Sequence, residues 1–264
     1  INRRNTNCKK RIINMIATSR ISNMDKTIWR YMDLSKFERL LEDNGNLYFT
    51  RSDRFEDSLE GKCSEITLKE LEEKYSKLHG EIFVENWKKL KFSKSDYINA
   101  VRRNSLVSCW HINEHENIDM WNTYAKEKEA IVIKTSINKL YESLNISKNM
   151  NFNIDIGEVV YIDFHNTSLE YKNHIIEPLF FKDKKYEFEN ELRVVVWKRP
   201  QNNILNTDLN NFYVCHGGSL NIDLNILIDE IYISPNSSDD LIEKIKKMIP
   251  DNMKNKVILK SVLK

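Results

Sequence analysis

The sequence predicts one α+β domain with a mixed or antiparallel central sheet and a helical insertion after the second strand. Three observations predict it. Segments with the period of a strand and segments with the period of a helix follow one another irregularly, unlike the regular series of a βαβ fold. The chain has 264 residues, 41% of them hydrophobic, which is enough to bury a core. It has only 6 Gly and 4 Pro, and neither a repeat nor a flexible linker interrupts it.

The first half of the chain alternates strands and helices. Apolar patterning predicts strands at 27–32, 47–50, 105–112 and 130–135. Helices are predicted after Asp33 and after Ser136, because Asp and Ser are favourable N-cap residues. A third helix is predicted at 118–125.

A helical insertion is expected at about residues 64–104. Thr67 and Glu70 have the spacing of a capping box, which predicts the start of a helix. Two more helices are predicted at about 83–90 and from residue 93.

The second half is predicted to be richer in strands. The predicted strands are 157–163, 192–197, 212–215, 230–234 and 257–262, with a helix near 241–249.

Charge is distributed unevenly. Residues 1–24 contain six basic and no acidic residues, whereas the formal net charge of the whole chain is +2. We interpret them as a basic, solvated and partly frayed N-terminal arm, with contact to nucleic acid as the alternative, and 25–264 as the single domain. Because the chain begins with Ile1 and Met24 is followed directly by the first segment with an ordered pattern, residues 1–23 are expected to be a dispensable upstream extension.

Cysteine usage and hydropathy indicate the compartment. The 4 cysteines are far apart, which predicts neither a disulfide framework nor a C-x-x-C motif. No stretch reaches the roughly 18 apolar residues of a membrane helix, and the N-terminus lacks the apolar segment of a secretory signal. We therefore expect a cytoplasmic bacterial protein without a membrane partner.

Two segments in the first quarter contain residues that a core does not require. In an extended strand Arg30 points away from Trp29 and Tyr31, either to a ligand or to the surface. Asp57 and Glu60 lie three residues apart on a turn and could bind a cation, a ribose hydroxyl or an arginine. The alternative for the two acids is an N-cap region favoured by a helix dipole.

A third segment combines Ser108, Trp110 and His111 with the aromatic pair Trp121 and Tyr124. The two aromatic residues share a helical face and suit either core packing or stacking on a flat ring. His111 and His115 lie at a strand end without a third ligand in register, so we expect no zinc site.

The fourth segment contains three glutamates and an arginine at every second position. In an extended chain Glu187, Glu189, Glu191 and Arg193 would share one face. Neighbouring carboxylates repel one another, so at least one is a candidate for a raised pKa or a ligand contact. An exposed edge strand or a structural ion pair is the alternative.

With these segments in this order, the chain resembles an uncharacterised bacterial domain family. Its marks are W-[RK]-Y, F-x-D-x-x-E-G, S-C-[FW], M-W-x-x-Y and E-x-E-x-R, found here at 29–31, 55–61, 108–110, 120–124 and 189–193. The similarity covers about residues 27–235. Members commonly have N-D-P in the second motif, where this chain has Glu56-Asp57-Ser58.

The order of elements also resembles that of ADP-ribosyltransferases. The resemblance implies NAD as a substrate, held by a basic residue of the first strand, with aromatic rings around the nicotinamide and a late catalytic glutamate. The implied NAD-binding residues are Arg30, Tyr31, Ser108, Trp121 and Tyr124. The implied catalytic residues are Glu191 and Glu189, with Asp57, Glu60 and Arg193 beside them.

Three functions follow as hypotheses. The first is an NAD-consuming transferase acting on protein or nucleic acid, as a toxin or antiphage effector would. This hypothesis allows a cognate regulator as a partner and expects no metal. The second is a hydrolase or nuclease that holds Mg²⁺ through Asp57, Glu60, Glu189 and Glu191. The third is a non-catalytic sensor or interaction module with an aromatic pocket.

Overall fold

A computed structural model describes residues 16–62, 64–67, 69, 70, 73, 77, 99–125, 127, 129–144, 152–169, 176–197 and 216–263. Within them, the strands form a central sheet with parallel and antiparallel pairs, and helices pack against it. The predicted α+β class is therefore confirmed. Among these residues, none of the helices combines the length and the apolar character needed to cross a membrane.

The strands within the described residues have these bounds: β1 Ile16–Arg20, β2 Thr27–Asp33, β3 Asn46–Arg51, β4 Ser105–Ile112, β5 Ala130–Ser136, β6 Asn153–Glu158, β7 Val160–Ile162, β8 Phe181–Asp183, β9 Glu191–Trp197, β10 Gly217–Asn221, β11 Glu230–Ile233 and β12 Val257–Lys260. The central sheet has the order β1-β6-β9-β4-β2-β5-β11-β12, and β3 joins β4 to β10 beside it. A separate parallel pair consists of β7 and β8.

The helices within the described residues are α1 Leu34–Leu41, α2 Ile118–Tyr124, α3 Ile137–Leu144, α4 Leu224–Leu227 and α5 Asp240–Met248. Residues 65–67 and 99–103 are also helical. Short 3-10 helices occupy Glu42–Asn44, Ser52–Arg54, Glu177–Phe180, Lys184–Glu189 and Asp251–Met253.

The two faces of the sheet bury different groups. On the α1 face, Ile28 and Met32 of β2 join Phe37 and Leu40 of α1 in the main hydrophobic core, to which α3 and α5 also contribute. On the opposite face, the α2 face, Trp29 and Tyr31 pack against Met120 and Trp121. Alternation along β2 therefore places Arg30 on the α1 face and Tyr31 on the α2 face.

A wedge opens between β2 and β3. Both strands run antiparallel to β4, but β2 pairs with it only at Trp29↔His111 and Ile28↔Ile112, and β3 only at Thr50↔Val107 and Arg51↔Leu106. In this described part of the sheet, residues 108–110 of β4 pair with neither strand. They form the apex of the wedge.

Several predicted boundaries need correction. The helix predicted from the Thr67 and Glu70 capping box begins at residue 65, and the side chain that caps it is Ser64, whose Oγ accepts a hydrogen bond from the Thr67 N–H at 3.2 Å. Glu70 instead accepts a hydrogen bond from the Ser168 hydroxyl. The rest of the predicted insertion, apart from 99–103, lies outside the described residues, as does the predicted strand 212–215.

The predicted strand 157–163 is interrupted. It is divided between β6 and β7 at Val159, whose N–H donates to the Glu191 carbonyl at 2.9 Å. The predicted arm also differs from the structure, because Ile16–Arg20 forms β1, a parallel partner of β6 in the central sheet. The folded part of the chain therefore begins before residue 25.

Candidate functional site

The wedge between β2 and β3 contains a cleft of about 500 Å³. That volume lies within the usual range of small-molecule sites. The cleft is lined from the α1 face by Arg30, Lys36 and Arg39 and from the α2 face by Glu189 and Glu191. It therefore passes through the gap in the sheet and touches both faces.

Arg30 holds the apex of the wedge. Its guanidinium donates to the Ser108 hydroxyl and, at 3.0 Å, to the Tyr48 carbonyl, and it lies 5.4 Å from the centre of a Trp110 ring. Burial lowers its pKa to about 10, so the group stays charged at neutral pH. A guanidinium carries five N–H groups, so these two contacts do not exhaust its donors.

Two further cations line the cleft from α1. Lys36 and Arg39 are both exposed, and they lie one helical turn apart. Lys36 pairs with Asp33 at 3.1 Å, and the Arg39 Nε donates to the Ser35 carbonyl at 3.3 Å. Together with Arg30 they make the α1 side of the cleft positive.

Aromatic side chains form a wall of the cleft on the α2 face. Tyr31 and Tyr124 both line it, and the Tyr31 hydroxyl accepts a hydrogen bond from the Asn117 N–H at 2.8 Å. Trp121 lies behind Tyr31, with 5.2 Å between ring centres, and its indole N–H donates to Glu116. Trp121 and Ser108 were predicted to contact NAD, but neither lines the cleft. The structure places Trp121 as support for Tyr31 and Ser108 as a partner of Arg30.

Four buried charges form a closed ring at the other side of the cleft. The Lys182 Nζ lies 3.1 Å from Glu191 Oε1 and 3.4 Å from Glu60 Oε1. Arg193 closes the ring, with Nε 2.6 Å from Glu191 Oε2 and Nη2 2.8 Å from Glu60 Oε2. Each carboxylate thus uses both oxygens, and two positive charges balance two negative charges.

Glu189 is a fifth charged group beside this ring. It pairs with the Lys182 ammonium, and Glu191 and the Tyr124 hydroxyl lie near it. Burial and the neighbouring Glu191 raise the pKa of Glu189 to about 7. Burial opposes ionisation of Glu191 as well, but Arg193 and Lys182 outweigh it and lower the pKa of Glu191 to about 2. The surroundings of the cleft therefore favour ionisation of Glu191 and oppose ionisation of Glu189.

A backbone corner places the two glutamates in the cleft. Glu189 ends a 3-10 helix, Asn190 has a left-handed backbone with φ 38°, and Glu191 begins β9. The corner is attached to the end of β4 because Asn190 Nδ2 donates to the Ile112 carbonyl at 2.6 Å and the Ile112 N–H donates to the Asn190 carbonyl at 2.8 Å.

His111 supports the same corner and lines the cleft. Its Nδ1 lies 2.6 Å from the Glu189 carbonyl, which can only accept, so Nδ1 carries the proton. Burial lowers the pKa of His111, which favours this neutral form. The sequence considered His111 only as a metal ligand and missed its role in holding Glu189.

The predicted common face of Glu187, Glu189, Glu191 and Arg193 is only partly correct. Because residues 184–189 form a 3-10 helix, the chain is not extended there, and Glu187 is exposed while Glu189 is buried. Glu191 and Arg193 do share a face of β9.

The second motif contributes Glu60 to the ring through a tight turn. Gly61 has φ +71°, a left-handed conformation that favours glycine, and a Cβ there would lie 2.9 Å from Leu179 Cδ2, so that side chain would have to shift. Asp57 stays in the turn itself, where Oδ1 accepts from the Leu59 N–H at 3.0 Å.

Sequence reasoning missed Lys182, which lies in the short strand β8. The only signal that could have indicated it is indirect. Several carboxylates buried together need compensating cations, and Arg193 alone could not balance the charge of the predicted glutamates. The predicted Mg²⁺ ligands Glu60, Glu189 and Glu191 have an ammonium or a guanidinium between them, and Asp57 faces its own turn. This arrangement differs from an oxygen cage for a cation.

No family model, no curated protein and no solved structure matches this chain. The resemblances to the bacterial domain family and to ADP-ribosyltransferases therefore stay predictions.

Proposed function

We propose that this protein is an NAD-consuming transferase of the ADP-ribosyltransferase type that modifies a protein or a nucleic acid. The observation that carries the proposal is the separation of charge in the cleft. Arg30, Lys36 and Arg39 line its α1 side, and Glu189 and Glu191 line its α2 side. Aromatic rings lie on the wall near the carboxylates.

NAD has a complementary distribution of charge. Its diphosphate is an anion that arginine and lysine bind well, and its nicotinamide is a flat, positively charged ring suited to an aromatic wall. With the diphosphate at Arg30 and the nicotinamide at Tyr31, the ribose carbon that reacts lies on the carboxylate side.

The carboxylates suit the chemistry that this orientation requires. When the bond between ribose C1′ and the nicotinamide nitrogen breaks, its electron pair leaves with neutral nicotinamide and positive charge develops on the ribose. Glu191 is ionised at neutral pH and stabilises that charge. A nucleophile of the target then bonds to C1′ and releases a proton, for which Glu189 is the nearby acceptor.

The proposal is tested by incubating the purified protein with adenylate-labelled NAD and a bacterial lysate. We expect release of free nicotinamide together with transfer of label to protein or nucleic acid. Glu191→Gln and Glu189→Gln should each lower the rate by at least roughly a hundredfold, the range expected when one group in charge stabilisation or proton transfer is removed.

Glu187→Gln is the matched control, because Glu187 belongs to the same segment but is exposed. Full NAD turnover by folded Glu189→Gln and Glu191→Gln variants would refute the proposal. NAD binding without any product would support the sensor hypothesis instead, and NAD-independent hydrolysis abolished by a chelator would support the Mg²⁺ hypothesis.

A further inference from the structure

The ring of buried charges is already balanced without Glu189. Lys182 and Arg193 each contact both Glu60 and Glu191, so two cations and two carboxylates satisfy one another. All four residues are at most 6% exposed. Glu189 therefore has no cation of its own and shares Lys182 with the ring.

Of the two cations in the ring, Lys182 is the one that pairs with Glu189. It comes from β8, a strand outside the central sheet, and its ammonium lies 4.8 Å from the centre of the Tyr186 ring. Removing its positive charge would leave Glu60, Glu189 and Glu191 with Arg193 alone. Since like charges buried together disfavour ionisation, the carboxylate outside the ring would take up a proton.

Groups from every neighbouring element face Glu189. They are Lys182 of β8, Glu191 of β9, Tyr124 of α2, Tyr161 of β7 and His111 of β4, while Arg193 and Glu60 lie behind them in the ring. Tyr161 uses its hydroxyl to accept the Glu191 N–H at 2.8 Å, and His111 donates to the Glu189 carbonyl. Among them, Lys182 alone places a positive charge directly on the Glu189 carboxylate.

We propose that Lys182 is a positioning residue whose ammonium holds the Glu189 carboxylate at the cleft and favours its ionised form. The role of Glu189 in catalysis rests on the proposed function, whereas the charge balance around it does not.

The proposal predicts opposite effects for two substitutions in the ring. Lys182→Met removes a cation, so the pKa of Glu189 should rise from its value of about 7 by at least roughly one pH unit. Glu60→Gln removes one of the carboxylates that share the Lys182 ammonium. Lys182 then interacts more strongly with Glu189, so the pKa of Glu189 should fall. Lys182→Arg retains the charge and should shift it least.

The measurement is the carboxyl ¹³C chemical shift of Glu189 across pH, with its resonance assigned by its loss in Glu189→Gln. Lys185→Met is the matched control, because Lys185 contacts the same Tyr186 ring from an exposed position and, within the described part of the chain, forms no ion pair with Glu189. The pH dependence of nicotinamide release is recorded in parallel, and its rising limb should move with the ¹³C midpoint.

A Glu189 midpoint that is unchanged in both Lys182→Met and Glu60→Gln would overturn the proposal. If Lys182→Met fails to fold, the fall expected in Glu60→Gln still decides it. Midpoints that move as expected in a protein that releases no nicotinamide would support the role of Lys182 and refute the proposed function separately.

Discussion

At the scale of single residues, the site depends on the corner at Asn190. This residue turns the chain from a 3-10 helix into β9 with φ 38° and ψ 61°. Asparagine tolerates the left-handed region better than most residues, and its side chain also bonds to Ile112. The corner determines that Glu189 and Glu191 enter the cleft from adjacent elements.

Asn190→Val should destabilise the protein by about 2–3 kcal/mol, because a β-branched residue is strained at positive φ and the bond to Ile112 is lost. Asn190→Gly loses the same hydrogen bond without the strain and should cost about 1 kcal/mol or less. Urea unfolding measures both values. Equal stability of the two variants would contradict a strained corner.

The sequence predicted which of these residues lie near one another better than it predicted the conformation of the chain between them. Glu189, Glu191 and Arg193 were predicted to lie together because their spacing suits a strand, and two of the three lie in one. The 3-10 helix could not be predicted from alternation, so Glu187 was placed with them. Lys182 and Glu60 join through contacts between distant segments, which no local pattern encodes.

At the scale of elements, the wedge exists because β2 and β3 each have a long partner elsewhere. All seven residues of β2 pair with β5, and residues 46–50 of β3 pair with β10. Each strand pairs with only two residues of β4, and Arg30 of β2 bridges the gap to β3 through its hydrogen bond to the Tyr48 carbonyl. The sequence predicted both strands from their apolar faces but not the divergence, since pairing partners depend on the whole sheet.

The strand β1 gives a prediction at the same scale. A chain starting at Met24 lacks β1, which exposes the edge of β6 and removes the ion pair of Arg20 with Glu177. It should unfold at a lower temperature than a chain starting at Ile16, by several degrees. Thermal unfolding of these two truncations, which differ only by residues 16–23, measures the effect. Identical midpoints would restore the interpretation of residues 16–23 as a dispensable extension.

At the scale of the whole molecule, the distribution of charge matters more than its sum. The formal net charge of +2 gives no indication of a ligand. The fold nevertheless brings Arg30, Lys36 and Arg39 to one side of a cleft and two glutamates to the other. This separation of charge, rather than the net charge, is the feature that supports the proposed binding of NAD.

The most direct test is a calorimetric titration of NAD into the wild type and into a Lys36→Glu, Arg39→Glu variant. Both side chains are exposed, so the fold should survive the reversal. We predict that the wild type binds NAD and that the variant binds it at least roughly tenfold more weakly, a loss of about 1.4 kcal/mol.

Lys244→Glu with Lys247→Glu is the matched control, since these lysines have the same spacing on α5, are exposed and do not line the cleft. The account predicts wild-type affinity for this control. Absence of NAD binding to the wild type, or equal affinity in both reversed variants, would contradict NAD as the ligand of this cleft.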